Sequence, residues 1–135
     1  MLWLNTTSYC KYLTDEVRLS AYQRPINATV RPGDVVLDLG SGTGILGLFA
    51  CRAGAAYVYS IEVSSIIGLA REICRVNGFL DRVTYMRGLS TELELSRKAD
   101  VVVADEIGNL GSNVVWCNSS RTVLETWRQA YSIVR

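Results

Sequence analysis

The chain of 135 residues contains no histidine. That absence takes imidazole out of any catalytic scheme: neither a Ser-His-Asp nor a Cys-His nucleophile can be assembled, so chemistry must come from carboxylates, hydroxyls, positioning or a reactive cofactor. Cysteine is sparse. Cys10, Cys51, Cys74 and Cys117 are widely spaced and none forms C-x-x-C, so no zinc site and no other metal is expected. Cys51 and Cys74 stand among apolar residues of predicted helices and read as small core hydrophobes rather than redox groups. An excess of either charge is also missing: 14 Lys and Arg against 13 Asp and Glu leave a net charge of +1, which advertises no nucleic-acid partner. No apolar run approaches a membrane span, and the opening MLWLNTTSYC lacks a basic region followed by a long apolar core. A cytoplasmic protein with no membrane partner is the expectation.

What remains is a chain rich in alternating apolar segments. Hydrophobic residues make up 49% of it, enough for one domain with a real core but not for a second large one. A helix is expected from about Thr14 to Asn27, with Thr14 as N-cap, Asp15 and Glu16 in the first turn, and Pro25 near its end. RPGD at 31–34 reads as a turn, Val35 to Leu39 as a strand, Ile45 to Ala53 as a helix stopped by Gly54, and Tyr57 to Ile61 as a second strand. Ser64 or Ser65 is expected to cap a helix reaching Val76, where Ile66, Leu69, Ala70, Ile73 and Cys74 share a face and Asn77-Gly78 ends it. Val83 to Met86 alternates like a strand, Val101 to Val103 is a continuous apolar run like a central parallel strand, and Ser119 to about Tyr131 is a further helix. The sum is βαβαβ followed by another β: an α/β chain forming the N-terminal half of a doubly wound, mostly parallel sheet.

The stretch VVLDLGSGTG, 35–44, carries the chemistry. A buried strand runs into glycines at alternate positions, Gly40, Gly42 and Gly44, which tolerate positive φ and let a ligand approach the backbone before a helix begins. Asp38 narrows the ligand. A carboxylate two residues before the first glycine sits awkwardly beside a pyrophosphate but suits a cationic or neutral ligand. S-adenosylmethionine fits, because it has no phosphate, bears a sulfonium, and offers an amino group and ribose hydroxyls to acceptors. Two alternatives stay open. Gly42, Gly44 and Gly47 also satisfy G-x-G-x-x-G, with Glu62 at about the ribose-acid spacing of an NAD-binding oxidoreductase fragment, and a glycine turn can serve without any ligand.

VLDLGSGTGILGLFACRAGA, the strand ending in Glu62, and DEVRLSAY at 15–22 together resemble the class I S-adenosylmethionine-dependent methyltransferases, and most of all the protein arginine methyltransferases. The likeness runs from about Tyr12 to Gly111. It implies a Rossmann-like fold, S-adenosyl-L-methionine as cofactor, and a methyl-acceptor partner that is a protein side chain or another small nucleophile. By this resemblance Arg18 grips the methionine carboxylate, and Asp38, Gly40, Ser41, Gly42 and Gly44 surround the methionine and ribose. Glu62 accepts the ribose hydroxyls, Val63 lies beside the ribose or adenine, and Gly88, Leu89 and Ser90 hold the adenine edge. Asp105, in ADEIGN, takes the place of the first of two glutamates that clamp a guanidinium, with Glu106 beside it; the second place falls on Val114.

The same reading divides the chain into a helical, cofactor-covering segment at 1–30, where Trp3, Tyr9 and Tyr12 are the available aromatics, and a partial Rossmann-like domain at 31–135. The remaining strands of the sheet are expected to be missing, as in a fragment or truncated product, leaving an exposed edge that invites self-association. A non-catalytic cofactor-binding remnant or interaction module is the alternative to an enzyme.

Overall fold

The computed structural model describes residues 6–90, 92–105 and 114–117, with backbone alone for 6–8 and 114–117. In chain order the elements are α1 (Thr6–Thr14), α2 (Glu16–Thr29), β1 (Val35–Leu39), α3 (Ile45–Ala53), β2 (Tyr57–Glu62), α4 (Ile67–Val76), β3 (Val83–Arg87), β4 (Val101–Ala104) and β5 (Val114–Cys117). They build one sheet in the order β3-β2-β1-β4-β5. The first four strands are parallel, and β5 runs antiparallel to β4. That last pairing was not expected: it makes β5, and not β4, the edge strand on this side of the sheet. The helix expected at 119–131 lies outside the described residues.

Alternation along the strands sorts the core into two faces. Val36, Val58, Val83, Val101 and Val103 point toward the helices, where they meet Tyr22, Ile26, Leu46, Phe49, Cys51 and Cys74. Leu37, Leu39, Tyr59, Ile61, Val102 and Ala104 form the opposite face, which Leu93, Leu95 and Ala99 of the segment after β3 help to cover. A strand buried on both faces has no polar side to show, which is why β1, β2 and β4 read as near-continuous apolar runs.

Local chemistry corrects two helix boundaries. The helix expected from Thr14 to Asn27 is α2, preceded by an unexpected α1 and capped not by Thr14 but by Asp15, whose carboxylate accepts the Arg18 amide at 3.0 Å. The Thr14 hydroxyl turns back to the Cys10 carbonyl at 2.9 Å, closing α1 instead of opening α2. An aspartate wins the cap because its full charge complements the helix N-terminus. Pro25 lies inside α2, which continues to Thr29 with Ile26 wholly buried behind it. Neither Ser64 nor Ser65 caps α4; its N-cap position is Ile66, which makes no side-chain cap bond. Gly54 stops α3 as expected, in a left-handed conformation with its amide turned to the Ala50 and Cys51 carbonyls. Arg82, unread from sequence, reaches the same helix end and donates to the Ala55 carbonyl at 3.0 Å.

Candidate functional site

The register puts Leu39 beside Ile61 on one side and Ala104 on the other. The next residues, Gly40, Glu62 and Asp105, therefore leave three adjacent strands at the same end of the sheet. Strand order reverses at this point, since β2 and β3 lie to one side of β1 and β4 to the other. A crevice opens at such a switch point because the two connections depart in opposite directions.

The glycine turn is built as its spacing requires. Gly40, Gly42 and Gly44 have φ of 63°, 53° and 75°, a region costly to residues with a Cβ. A fourth glycine is needed for space: a Cβ on Gly47 would lie 3.1 Å from Asp38 Oδ2 and 3.2 Å from Val58 Cγ1. Asp38 is fully buried, and its Oδ2 accepts the Gly47 amide at 2.9 Å. Glu62 is buried too, with Oε2 accepting the Gly42 amide at 2.7 Å and Oε1 the Ser64 amide at 2.9 Å. The Ser41 amide donates to the Ile61 carbonyl, and that of Gly44 to the Ser41 carbonyl. Four amides of the turn and helix start are thus already bonded inside the protein, two of them to carboxylates. A pyrophosphate would meet negative charge where a dinucleotide fingerprint offers donors, so the geometry speaks against the NAD alternative.

On the other side of the turn, Asp105 leaves β4 and meets α2. Arg18 Nη2 donates to its Oδ2, and the Tyr22 hydroxyl donates to its Oδ1. The Arg18 guanidinium also lies over the Tyr12 ring, 4.4 Å from the centroid. Arg18 and Asp105 are each about one-third exposed, whereas Tyr22 is buried in the core. Burial pushes the Tyr22 phenol above its usual pKa, opposed by the Arg18 charge, so the hydroxyl stays a donor at neutral pH. Sequence reading missed Tyr22; the signal available was its spacing four residues after Arg18, which puts both on one helix face.

Tyr9 of α1 covers the turn, its ring 3.3 Å from where a Gly42 Cβ would sit. Burial raises its phenol pKa, with the Glu62 carboxylate adding to the effect. The Ser41 hydroxyl is buried in the turn with no partner among the described residues. Of the positions assigned to the adenine edge, Gly88 donates its amide to the Glu62 carbonyl at 3.1 Å, while Val63 and Leu89 are exposed and Ser90 is partly covered. Glu106 and Trp3 lie outside the described residues. Val114 pairs with Ala104, next to Asp105, so the place of the expected second acid is at the site and holds an aliphatic residue.

A family model described as ribosomal protein L11 methyltransferase (PrmA) matches residues 5–114. The chain belongs to this methyltransferase family. It is a class I methyltransferase chain with protein arginine methyltransferases among its relatives. Protein arginine N-methyltransferase 1.1 of Arabidopsis thaliana is 43% identical over 99 residues, covering 71% of this chain and 25% of the relative. Protein arginine N-methyltransferase 1 of Saccharomyces cerevisiae is 38% identical over 71% of this chain and 28% of its own length. Among solved structures, the Trypanosoma brucei PRMT1 enzyme-prozyme heterotetrameric complex with AdoHcy superposes with a TM-score of 0.71 at 34% identity, over 75% of this chain and 32% of that one. Arabidopsis thaliana protein arginine methyltransferase 10 gives the same TM-score, 0.71, at 29% identity, over 75% of this chain and 30% of that one. This methyltransferase chain therefore spans about a quarter of the length of the curated relatives it matches.

Proposed function

We propose that the chain binds S-adenosylmethionine and forms the cofactor side of a methyltransferase site acting on a protein side chain. The observation that carries the reading is the pair of carboxylates, Glu62 and Asp105, that flank the glycine turn from its two neighbouring strands. The polar groups of the site fit the cofactor. Asp38, Glu62 and Asp105 bring three carboxylates around the turn, with Arg18 paired to Asp105, a set that suits a cationic ligand better than a phosphate. Each Glu62 oxygen spends one acceptor direction on an amide and keeps another for a ribose hydroxyl.

In this reading Arg18 holds the methionine carboxylate with its planar fork, and Asp38, Gly40, Ser41, Gly42 and Gly44 enclose the methionine and ribose. Val63, Gly88, Leu89 and Ser90 border the adenine, and the 1–30 segment covers the site through Tyr9. When bound, the cofactor supplies a methyl group on a sulfonium, an already activated leaving group. The protein's part is to orient and desolvate the acceptor, and Asp105, with Glu106 beside it in sequence, is assigned to that work.

The relatives' names support an arginine acceptor. Against efficient arginine transfer stands Val114, because a guanidinium held in line by one acid is free to rotate away. The same residue favours a second reading, a cofactor-binding chain that does not catalyse. The heterotetrameric assembly named for the trypanosomal neighbour supports self-association as a further proposal.

Calorimetry with S-adenosylhomocysteine and with NAD tests the binding. Heat of binding from S-adenosylhomocysteine alone is the expected result, and NAD binding without it would overturn the assignment. Mass spectrometry of Arg- and Lys-containing peptides incubated with labelled S-adenosylmethionine separates enzyme from non-catalytic binder. Weak arginine labelling that Asp105→Ala abolishes is expected; strong labelling that survives the substitution would remove Asp105 from the site.

A further inference from the structure

We propose that Tyr22 is a positioning residue for Asp105, holding the carboxylate by its second oxygen so that the remaining acceptor directions face the crevice. The inference rests on the methyl-transfer reading of the site and adds to it a residue that acts through Asp105. Tyr22 is 2% exposed and belongs to the apolar cluster of Ile26, Val30, Val36 and Val101. Phenylalanine would fill that space equally well, and a hydroxyl brought into an apolar cluster is unfavourable unless it finds a partner. Its partner is Asp105 Oδ1.

The two donors come from one helix and take different oxygens. Arg18 binds Oδ2 and Tyr22, one turn further along α2, binds Oδ1. A carboxylate held at one oxygen swings about its terminal torsion, which is broad, whereas one held at both has its plane set. Their exposures give the donors different standing. Arg18 is one-third exposed and is the residue assigned to the cofactor's carboxylate, so its guanidinium serves two anions. Tyr22 is enclosed, its ring 5.8 Å from the Arg18 guanidinium and its hydroxyl on Asp105. Tyr22 therefore keeps Asp105 oriented when Arg18 is shared, and α2 becomes the element that ties the cofactor side of the site to the acceptor side.

The test is Tyr22→Phe, which keeps the ring and removes the hydroxyl, measured beside the unaltered chain in three ways. With S-adenosylhomocysteine as probe, calorimetry should give an affinity within about twofold, because the hydroxyl touches Asp105 and not the cofactor. With labelled S-adenosylmethionine and the Arg- and Lys-containing peptides, turnover should fall by about tenfold while KM for the cofactor holds. In a thermal cycle with Asp105→Ala, the double variant should melt no lower than the weaker single variant. Unchanged turnover, a cofactor affinity that falls in step with turnover, or additive losses in the cycle would each overturn the proposal. If the unaltered chain labels no peptide, it is the methyl-transfer reading that fails. The cycle then decides alone, coupled losses upholding the Tyr22–Asp105 link and additive losses overturning it.

Discussion

The two sides of the glycine turn hold their acids by different means. On the β2 side Glu62, together with Asp38 of β1 beside it, is buried and bonded to backbone amides, those of Gly42 and Ser64 for Glu62 and of Gly47 for Asp38. On the β4 side, Asp105 is partly exposed and is held by the side chains of Arg18 and Tyr22 from a helix 83 to 87 residues earlier. Backbone donors survive every substitution but proline and move only with the fold, so the acids on the β2 side are fixed in place. Side-chain donors can be lost or re-aimed one residue at a time. The β4 side is thus the more easily re-aimed of the two, through Tyr22 without touching the backbone-held acids, and through Arg18 only at the point the proposed cofactor and Asp105 share.

The sharpest way to break the β2 side is to crowd it. Gly47→Leu drives a side chain toward Asp38 Oδ2 and Val58 Cγ1, both already within 3.2 Å of a Cβ position, and should cost about 2–3 kcal/mol in chemical denaturation. An unchanged midpoint would mean that α3 shifts freely, contrary to a preset turn. Glu62→Gln is gentler: an amide turns two donors toward a backbone donor, and S-adenosylhomocysteine affinity in calorimetry should fall by roughly 10- to 100-fold, on the order of 1.5–3 kcal/mol. Equal affinity for this variant and Glu72→Ala, on the exposed face of α4, would remove Glu62 from the site.

On the β4 side, Arg18→Lys keeps the charge and loses the fork. The same calorimetry should give an affinity about fivefold weaker and more easily abolished by salt, since a point charge cannot serve two anions at fixed angles. The smallest effect separates the enclosed helices behind the turn from exposed α1. Burial pushes the Cys51 thiol up to about 11, so a thiol reagent at neutral pH should label exposed Cys10 and leave Cys51 intact in mapping by mass spectrometry. Rapid labelling of Cys51 would place the β2 side among the opening parts of the molecule.

Much of the β2 side was legible in the sequence because its determinants are local. The spacing of Gly40, Gly42 and Gly44 predicts a left-handed turn, the strand before it ends where the turn begins, and the next apolar run delivers Glu62 to the same edge. Asp38 was harder. Its place in the strand marked it as a site residue, but only the packing of α3 aims its Oδ2 at the Gly47 amide. Thr14 was read as the cap with Asp15 inside the first turn, and the full charge of the aspartate at the helix N-terminus moves the cap one residue on.

The sequence by itself determined the alternating α/β order, the two-faced core and the glycine turn, since each depends on periods and spacings within about twenty residues. Only the tertiary structure decided what Asp105 touches, because Arg18 and Tyr22 share a helix face but Asp105 follows them by 83 to 87 residues and meets them through the return of β4 to the side of β1 opposite β2. It also decided that β5 runs antiparallel to β4, bringing Val114 to the edge of the site. Contacts between residues that far apart follow from where whole elements pack, and no local pattern encodes them.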